Sequence, residues 1–150
     1  MRSSTDVDRE VRRHIYSRFV DDGRPPAHTE TATALGIEPE AAADAYRSLA
    51  DQRVLVLAPG TLNIWMANPL SAYPTPFWVE TARGGYWGSC IWDAFGVVSM
   101  LGGTGTVSTQ CPDCSQPLEF RLEDGDLLPA EGIAHFAVPA RRWWENIGYS

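Results

Sequence analysis

The apolar residues in the first third of the chain recur at helical spacing. Within residues 6–20 one helical stripe is formed by Val7, Val11, Ile15, Phe19 and Val20. Residues 21–28 contain a glycine and two prolines, which predict a break. We predict a second, short helix capped by Thr29 and closed by Gly36, and a third that starts near Pro39. The chain therefore begins as three helices.

The pattern changes to short strands after the third helix. Residues 53–68, RVLVLAPGTLNIWMAN, predict two strands around a Pro-Gly turn. Three helices followed by a hairpin is the element order of a winged helix-turn-helix, so we predict such a domain over residues 1–70. Residues 69–76, PLSAYPTP, contain three prolines and predict a linker. We predict an α+β fold, with a winged-helix-like helical domain followed by a small mixed α/β domain over residues 71–150.

Charge and composition exclude several classes of function. The net charge of −7 argues against general affinity for nucleic acid. The predicted recognition helix, residues 38–51, carries four acidic residues against Arg47 alone, so it would be repelled by phosphates. No apolar run is long enough to span a membrane, and the N-terminus lacks the apolar core of a signal peptide. We expect a cytoplasmic protein without a nucleic-acid or membrane partner.

Cys90 and Asp93 stand three residues apart in an apolar stretch, GSCIWDAFGV, and would share one face of a helix. With Ser89 or Gly88 as the cap, Cys90 falls in the first helical turn, where free N–H groups and the helix dipole stabilise a thiolate. A thiolate is a soft ligand for Hg(II), Cu(I) or Zn(II), and burial would raise the pKa of Asp93. On spacing alone the simpler interpretation is favoured: Cys90 is a small buried apolar residue and Asp93 bonds nearby backbone.

Cys111 and Cys114 form a C-x-x-C turn, a spacing that suits half of a tetrahedral zinc site. A closed site needs four ligands, so zinc at Cys111 and Cys114 requires further donors, for example a dimer that pools two such turns. Besides Cys90, the other nitrogen and sulfur donors of the chain are His14, His28 and His135. A redox dithiol and a plain hairpin turn, with Cys111 facing inward, are the alternatives. His135 is expected in a strand.

The segment YWGSCIWDAFGVVSMLGGTGTVSTQC resembles the central segment of the alkylmercury lyases. The resemblance is carried by C-x-W-D, the apolar helix, the glycine break and the cysteine that follows Cys90 by 21 residues. It implies that Cys90 is a mercury ligand and Asp93 the proton-handling carboxylate in protonolytic cleavage of a carbon–mercury bond. The products would be a hydrocarbon and Hg(II), which passes to cytosolic thiols. No organic cofactor is implied, and Trp87 or Trp92 would wall a pocket for the apolar organic group.

The resemblance also implies a short relative that lacks the C-terminal part of the catalytic domain. The family uses two cysteines, and the chain ends at Ser150 before the second would occur. Three sources of a second thiol remain open: Cys111 or Cys114 as a further metal ligand, a partner or second copy of the chain, or a small cytosolic thiol. The short domain would leave an apolar edge, which favours a homodimer.

Two alternatives to a carbon–mercury lyase stay open at this point. The first is a non-catalytic thiol-based metal-binding or interaction protein on the same scaffold. The second is a metal-sensing transcriptional regulator, which the acidic recognition helix disfavours.

Overall fold

Three helices open the chain and an antiparallel sheet follows. The structure is a computed structural model that describes residues 4–128 and 131–148. The helices are α1 (Ser4–Asp22), α2 (His28–Leu35), α3 (Pro39–Asp51) and α4 (Ile91–Met100), with a 3-10 turn at Ala140–Glu145. The strands are β1 (Leu55–Leu57), β2 (Ile64–Ala67), β3 (Leu70–Ser71), β4 (Trp78–Thr81), β5 (Gly84–Gly88), β6 (Gly105–Gln110), β7 (Pro117–Glu123) and β8 (Asp126–Leu128).

The apolar stripe predicted on α1 faces the core. Its buried members are Val11, Ile15 and Phe19. They recur every four residues and so share one helix face. From α3, the buried Tyr46 adds a ring whose hydroxyl lies 2.8 Å from Thr31 Oγ1 and donates to Pro26 O at 3.1 Å. The helical region therefore has an apolar core with a satisfied polar group inside it.

Two of the three predicted ends of α2 and α3 are confirmed. Gly36 closes α2 in the left-handed conformation, with φ 61°, and Pro39 is the first residue of α3. The predicted cap at Thr29 is wrong, because the N-cap is Ala27, two residues earlier, and α2 begins at His28. The Glu30 carboxylate accepts a hydrogen bond from the Ala27 N–H at 2.7 Å and takes over the capping role.

The eight strands form one sheet in the order β1-β2-β3-β5-β4-β6-β7-β8. The predicted hairpin is confirmed as β1 and β2. The segment predicted as a linker supplies β3, which pairs with β2 on one side and β5 on the other. The predicted α+β class is confirmed, and the sheet is antiparallel at every described pairing. The winged-helix assignment and the domain boundary at residue 70 stay predictions.

In helix α3, which was predicted as a recognition helix, the basic residue Arg47 pairs with acidic residues of the same helix. The Arg47 guanidinium lies 2.8 Å from Asp44 and 3.1 Å from Glu40. The surface of this helix is therefore dominated by carboxylates, as the sequence indicates.

Helix α4 packs closely on the centre of the sheet. Its buried residues are Ala94, Val97 and Val98. A Cβ atom on Gly88 would lie 2.6 Å from the Ala94 backbone nitrogen, which is far inside van der Waals contact. Only glycine allows the end of β5 to approach the first turn of α4 so closely.

Residues 131–148 return along the surface without forming a strand. The expected strand around His135 is therefore wrong; the backbone there is irregular as far as the 3-10 turn. The Trp143 indole donates to Val138 O at 2.7 Å, and the Arg53 guanidinium lies 5.3 Å from the Trp144 ring centroid. Among residues 4–128 and 131–148, no helix is long and apolar enough to cross a membrane.

Candidate functional site

Cys90 is the N-cap of α4. Its sulfur accepts a hydrogen bond from the backbone N–H of Asp93 at 3.4 Å. The sequence predicted a cap at Ser89 or Gly88 and placed Cys90 inside the helix; this is wrong because the sulfur itself receives the third amide of the helix. The thiol therefore sits at the helix opening, where the first N–H groups have no intrahelical partner.

The side chains of Cys90 and Asp93 form a hydrogen-bonded pair. The thiol donates to Asp93 Oδ2 with 3.5 Å between sulfur and oxygen, and both residues are half-buried. Spacing alone predicted that they share a face, and the structure brings them into direct contact.

Burial decides the protonation of this pair. It raises the pKa of the Cys90 thiol, although the backbone N–H of Asp93 acts in the opposite direction. The predicted stabilisation of a thiolate is therefore outweighed by desolvation. Burial also raises the pKa of the Asp93 carboxyl, as predicted, while the hydrogen bond from Cys90 opposes that rise. The raised pKa values of both groups favour their protonated forms.

Thr75, which the sequence did not single out, fixes Gly88 and so the backbone just before Cys90. Thr75 Oγ1 donates to Gly88 O at 2.6 Å and accepts the N–H of Phe77 at 3.1 Å. The Gly88 N–H in turn donates to Phe77 O at 3.0 Å. A glycine within a strand just before the C-x-x-D element was the available signal, since strand glycines often mark a close backbone approach.

Cys111 and Cys114 lie in the turn between β6 and β7. The Ser115 N–H donates to Cys111 O, and the Cys111 N–H donates to Gln116 O, both at 2.9 Å. The backbone N–H groups of Cys114 and Asp113, with the Cys114 side chain, lower the pKa of the Cys111 thiol. The predicted tight turn is confirmed, and Cys114 is exposed.

The two cysteine regions remain separate in the described part of the chain. Hydrogen bonds there join Cys90 to Asp93, but none joins Cys90 to Cys111 or Cys114. Residues 4–128 and 131–148 contain no group of three or more His, Cys, Asp or Glu side chains that could hold a metal ion. The metal-ligand role of Cys90, Cys111 and Cys114 stays a prediction.

The two tryptophans beside the pair differ in exposure. Trp87 packs on Trp78 of the neighbouring strand, with ring centroids 4.5 Å apart. Trp92, two residues after Cys90, is 68% exposed. Of the two side chains, Trp92 offers the larger apolar surface to an incoming molecule.

Comparison with known proteins gives a family match and a structural match. A family model described as alkylmercury lyase matches residues 70–149. The crystal structure of the mercury-bound form of MerB2 superposes with a TM-score of 0.62 at 16% sequence identity, covering 82% of this chain. The chain spans 66% of the length of that structure. A search of curated proteins gave no significant match.

Proposed function

Because the chain belongs to the alkylmercury lyase family, as its C-x-W-D segment indicates, we propose that it cleaves the carbon–mercury bond of an organomercurial by protonolysis. The observation that carries the proposal is the hydrogen bond from the Cys90 thiol to Asp93 Oδ2 at the start of α4. It couples a soft metal ligand to a proton acceptor. The mercury-bound state of the structurally similar MerB2 supports mercury as the metal.

The first step is capture of the metal by Cys90. The sulfur attacks the mercury of a substrate R–Hg–X, the S–Hg bond forms, and X departs as an anion. The thiol proton passes along the existing hydrogen bond to Asp93 Oδ2. The thiol need not be ionised beforehand, since mercury takes the place of the proton on sulfur.

The second step is transfer of that proton to carbon. Protonated Asp93 donates to the mercury-bound carbon, the C–H bond forms, and the electron pair of the C–Hg bond stays with the carbon. The hydrocarbon R–H leaves, Hg(II) stays on Cys90, and Asp93 returns to the carboxylate. A carboxyl with a raised pKa suits this role because it carries its proton closer to neutral pH. We propose that the exposed Trp92 ring, two residues after Cys90, provides apolar surface for R.

The third step is removal of Hg(II) by two molecules of a thiol. Their sulfurs form two S–Hg bonds and the bond between mercury and Cys90 breaks. One thiol proton returns to the Cys90 sulfur and the other passes to water. Hg(II) is a soft ion that thiolates bind strongly. We propose a small thiol from solution as this ligand, because within residues 4–128 and 131–148 Cys90 and Asp93 form no metal-binding group with Cys111 or Cys114. A second copy of the chain remains the other source.

The proposal is tested by measuring benzene release from phenylmercuric acetate in the presence of excess small thiol. Wild-type protein should release benzene, which headspace gas chromatography quantifies. Cys90→Ser should abolish release, whereas Cys114→Ser, which removes an exposed cysteine outside the pair, should not. Failure of folded wild-type protein to release benzene would overturn the lyase proposal.

A second candidate is a non-catalytic thiol-based metal-binding protein. It is favoured by the exposed turn that carries Cys111 and Cys114, where backbone N–H groups lower the pKa of Cys111. Two thiols at this spacing suit Hg(II) or half of a zinc site. Retention of Hg(II) by the protein without benzene release, lost in Cys111→Ser, would favour this candidate.

A further inference from the structure

A groove of about 590 Å³ lies between α1, the end of α4 and the turn that joins β4 to β5. Four of its nine lining residues are arginines, namely Arg9, Arg12 and Arg13 of α1 and Arg83 of the turn. Among the described residues, no carboxylate lines this groove. The whole chain carries a net charge of −7, so the arginines do not belong to a generally basic surface.

The four guanidinium groups differ in how far carboxylates neutralise them. Arg9 and Arg83 are each paired with an aspartate, at 3.6 Å and 3.1 Å. Arg12 and Arg13 form no ion pair with a carboxylate in the described part of the chain. Arg12 instead lies over the Tyr16 ring, 5.8 Å from its centroid. Two exposed guanidinium groups are therefore available to an anion, and their forked N–H donors suit a carboxylate or a phosphate.

Apolar side chains form much of the remaining lining. Tyr16 and Val20 come from α1, and Met100 and Leu101 from the end of α4. Met100 is 42% exposed, although its side chain is apolar. Val20 follows Arg13 by seven residues, so about 10 Å of helix separates the two. The groove therefore offers unneutralised positive charge at one end and apolar surface at the other.

We infer that this groove binds a small organic anion. Its carboxylate or phosphate head lies at Arg12 and Arg13, and its apolar body covers Met100. The volume of the groove lies in the usual range for small-molecule sites. The site goes beyond the proposed function, since Cys90 caps the start of α4 whereas Met100 ends the helix, about 15 Å away.

Octanoate is the probe, because it joins a carboxylate to an unbranched apolar chain. In ¹H–¹⁵N correlation spectra we expect saturable shifts at Tyr16 and Leu101, with a Kd of about 1 mM. Octyl phosphate has the same chain and distinguishes a phosphate head from a carboxylate head. Acetate, without the chain, should bind at least about tenfold more weakly than octanoate. The uncharged 1-octanol should bind about three- to tenfold more weakly.

The double variant Arg12→Gln/Arg13→Gln tests the anchor, since glutamine keeps the helix propensity of arginine and removes both charges. We expect it to weaken octanoate binding about three- to tenfold and to leave 1-octanol binding unchanged. The control Arg18→Gln/Arg47→Gln removes the same charge from exposed side chains outside the groove. It should bind octanoate as the wild type does.

Absence of saturable shifts at Tyr16 and Leu101 with both octanoate and octyl phosphate would overturn the inference. Equal weakening by the two double variants would show that net charge, and not the groove, attracts the anion. Octanoate binding no tighter than that of acetate or 1-octanol would also contradict the inference. Because the probes contain no metal, failure of the benzene-release assay and failure of this titration are separate results.

Discussion

The two cysteine regions of this chain shift the pKa of a thiol in opposite directions. Cys90 is half-buried, and burial raises its pKa although the Asp93 N–H reaches its sulfur. Cys111 is also half-buried, but residues 112–116 of its turn are exposed, and backbone N–H groups lower its pKa. Both sulfurs accept hydrogen bonds from backbone N–H groups, so the opposite directions of their pKa shifts come from desolvation. Amide contacts favour a thiolate only where water also solvates it.

The comparison assigns different chemistry to the two regions. A protonated thiol beside a carboxylate can hand its proton over when a metal binds, which suits a reaction that ends in protonation of carbon. A turn that carries one exposed thiol and one thiol of lowered pKa suits simple metal binding. Four experiments sharpen this contrast or break it.

Removal of the carboxylate has the largest expected effect. Asp93→Asn should lower the rate of benzene release about 10²- to 10⁴-fold, the usual contribution of a positioned acid, while Cys90 still binds mercury. Single-turnover release and mercury bound per protein measure the two effects. Asp113→Asn, the carboxylate beside Cys111, is the matched control and should release benzene normally. Wild-type rates in Asp93→Asn would show that the proton comes from another donor.

Gly88→Ala tests the close approach that holds Cys90. The added Cβ would lie 2.6 Å from the Ala94 nitrogen, so we expect the free energy of unfolding to fall by about 1–3 kcal/mol. Urea denaturation measures it. Gly96→Ala in α4 is the control, because its Cβ meets only the Pro69 side chain, at 3.3 Å, and alanine favours helix. Equal destabilisation by both variants would argue against a specific role for Gly88.

Alkylation rates compare the two thiols directly. At pH 7 iodoacetamide should modify Cys111 faster than Cys90, because a larger fraction of Cys111 is thiolate. The sign follows from the shifts: the raised pKa of Cys90 delays its thiolate to higher pH, and the lowered pKa of Cys111 brings its thiolate to lower pH. The rate ratio should therefore stay constant while the pH lies below both pKa values, and it should shrink as the pH rises through the pKa of Cys111. Peptide mass spectrometry follows both sites. Faster alkylation of Cys90 than of Cys111 would support the stabilised Cys90 thiolate that the sequence predicted.

Thr75→Val has the smallest expected effect. It removes the hydrogen bond to Gly88 O and should lower the free energy of unfolding by about 1 kcal/mol. It should also raise the alkylation rate of Cys90 without changing that of Cys111, because only the Cys90 region is loosened. Thr106→Val serves as the reference, and unchanged Cys90 reactivity in Thr75→Val would contradict the positioning role.

Much of the fold was predictable from local patterns. The stripe on α1, Gly36 and Pro39 at helix ends, the first hairpin and the Cys111–Cys114 turn all depend on neighbouring residues, and all were confirmed. The predictions that failed depend on distant partners. Residues 69–76 look like a linker, yet β3 finds partners on both sides, and the region around His135 looks like a strand but forms none.

The predictions for the site divide in the same way, into features set by neighbouring residues and features set by distant ones. The sequence by itself determined that Cys90 and Asp93 would share a helix face, because helical spacing is a local property, and the C-x-W-D segment indicated the family. The tertiary structure alone decided that Cys90 caps the helix, that Gly88 and Thr75 hold it there, and that burial raises the pKa of its thiol. These outcomes follow from desolvation and close contact, and both are set by the residues that the fold brings together across the sheet.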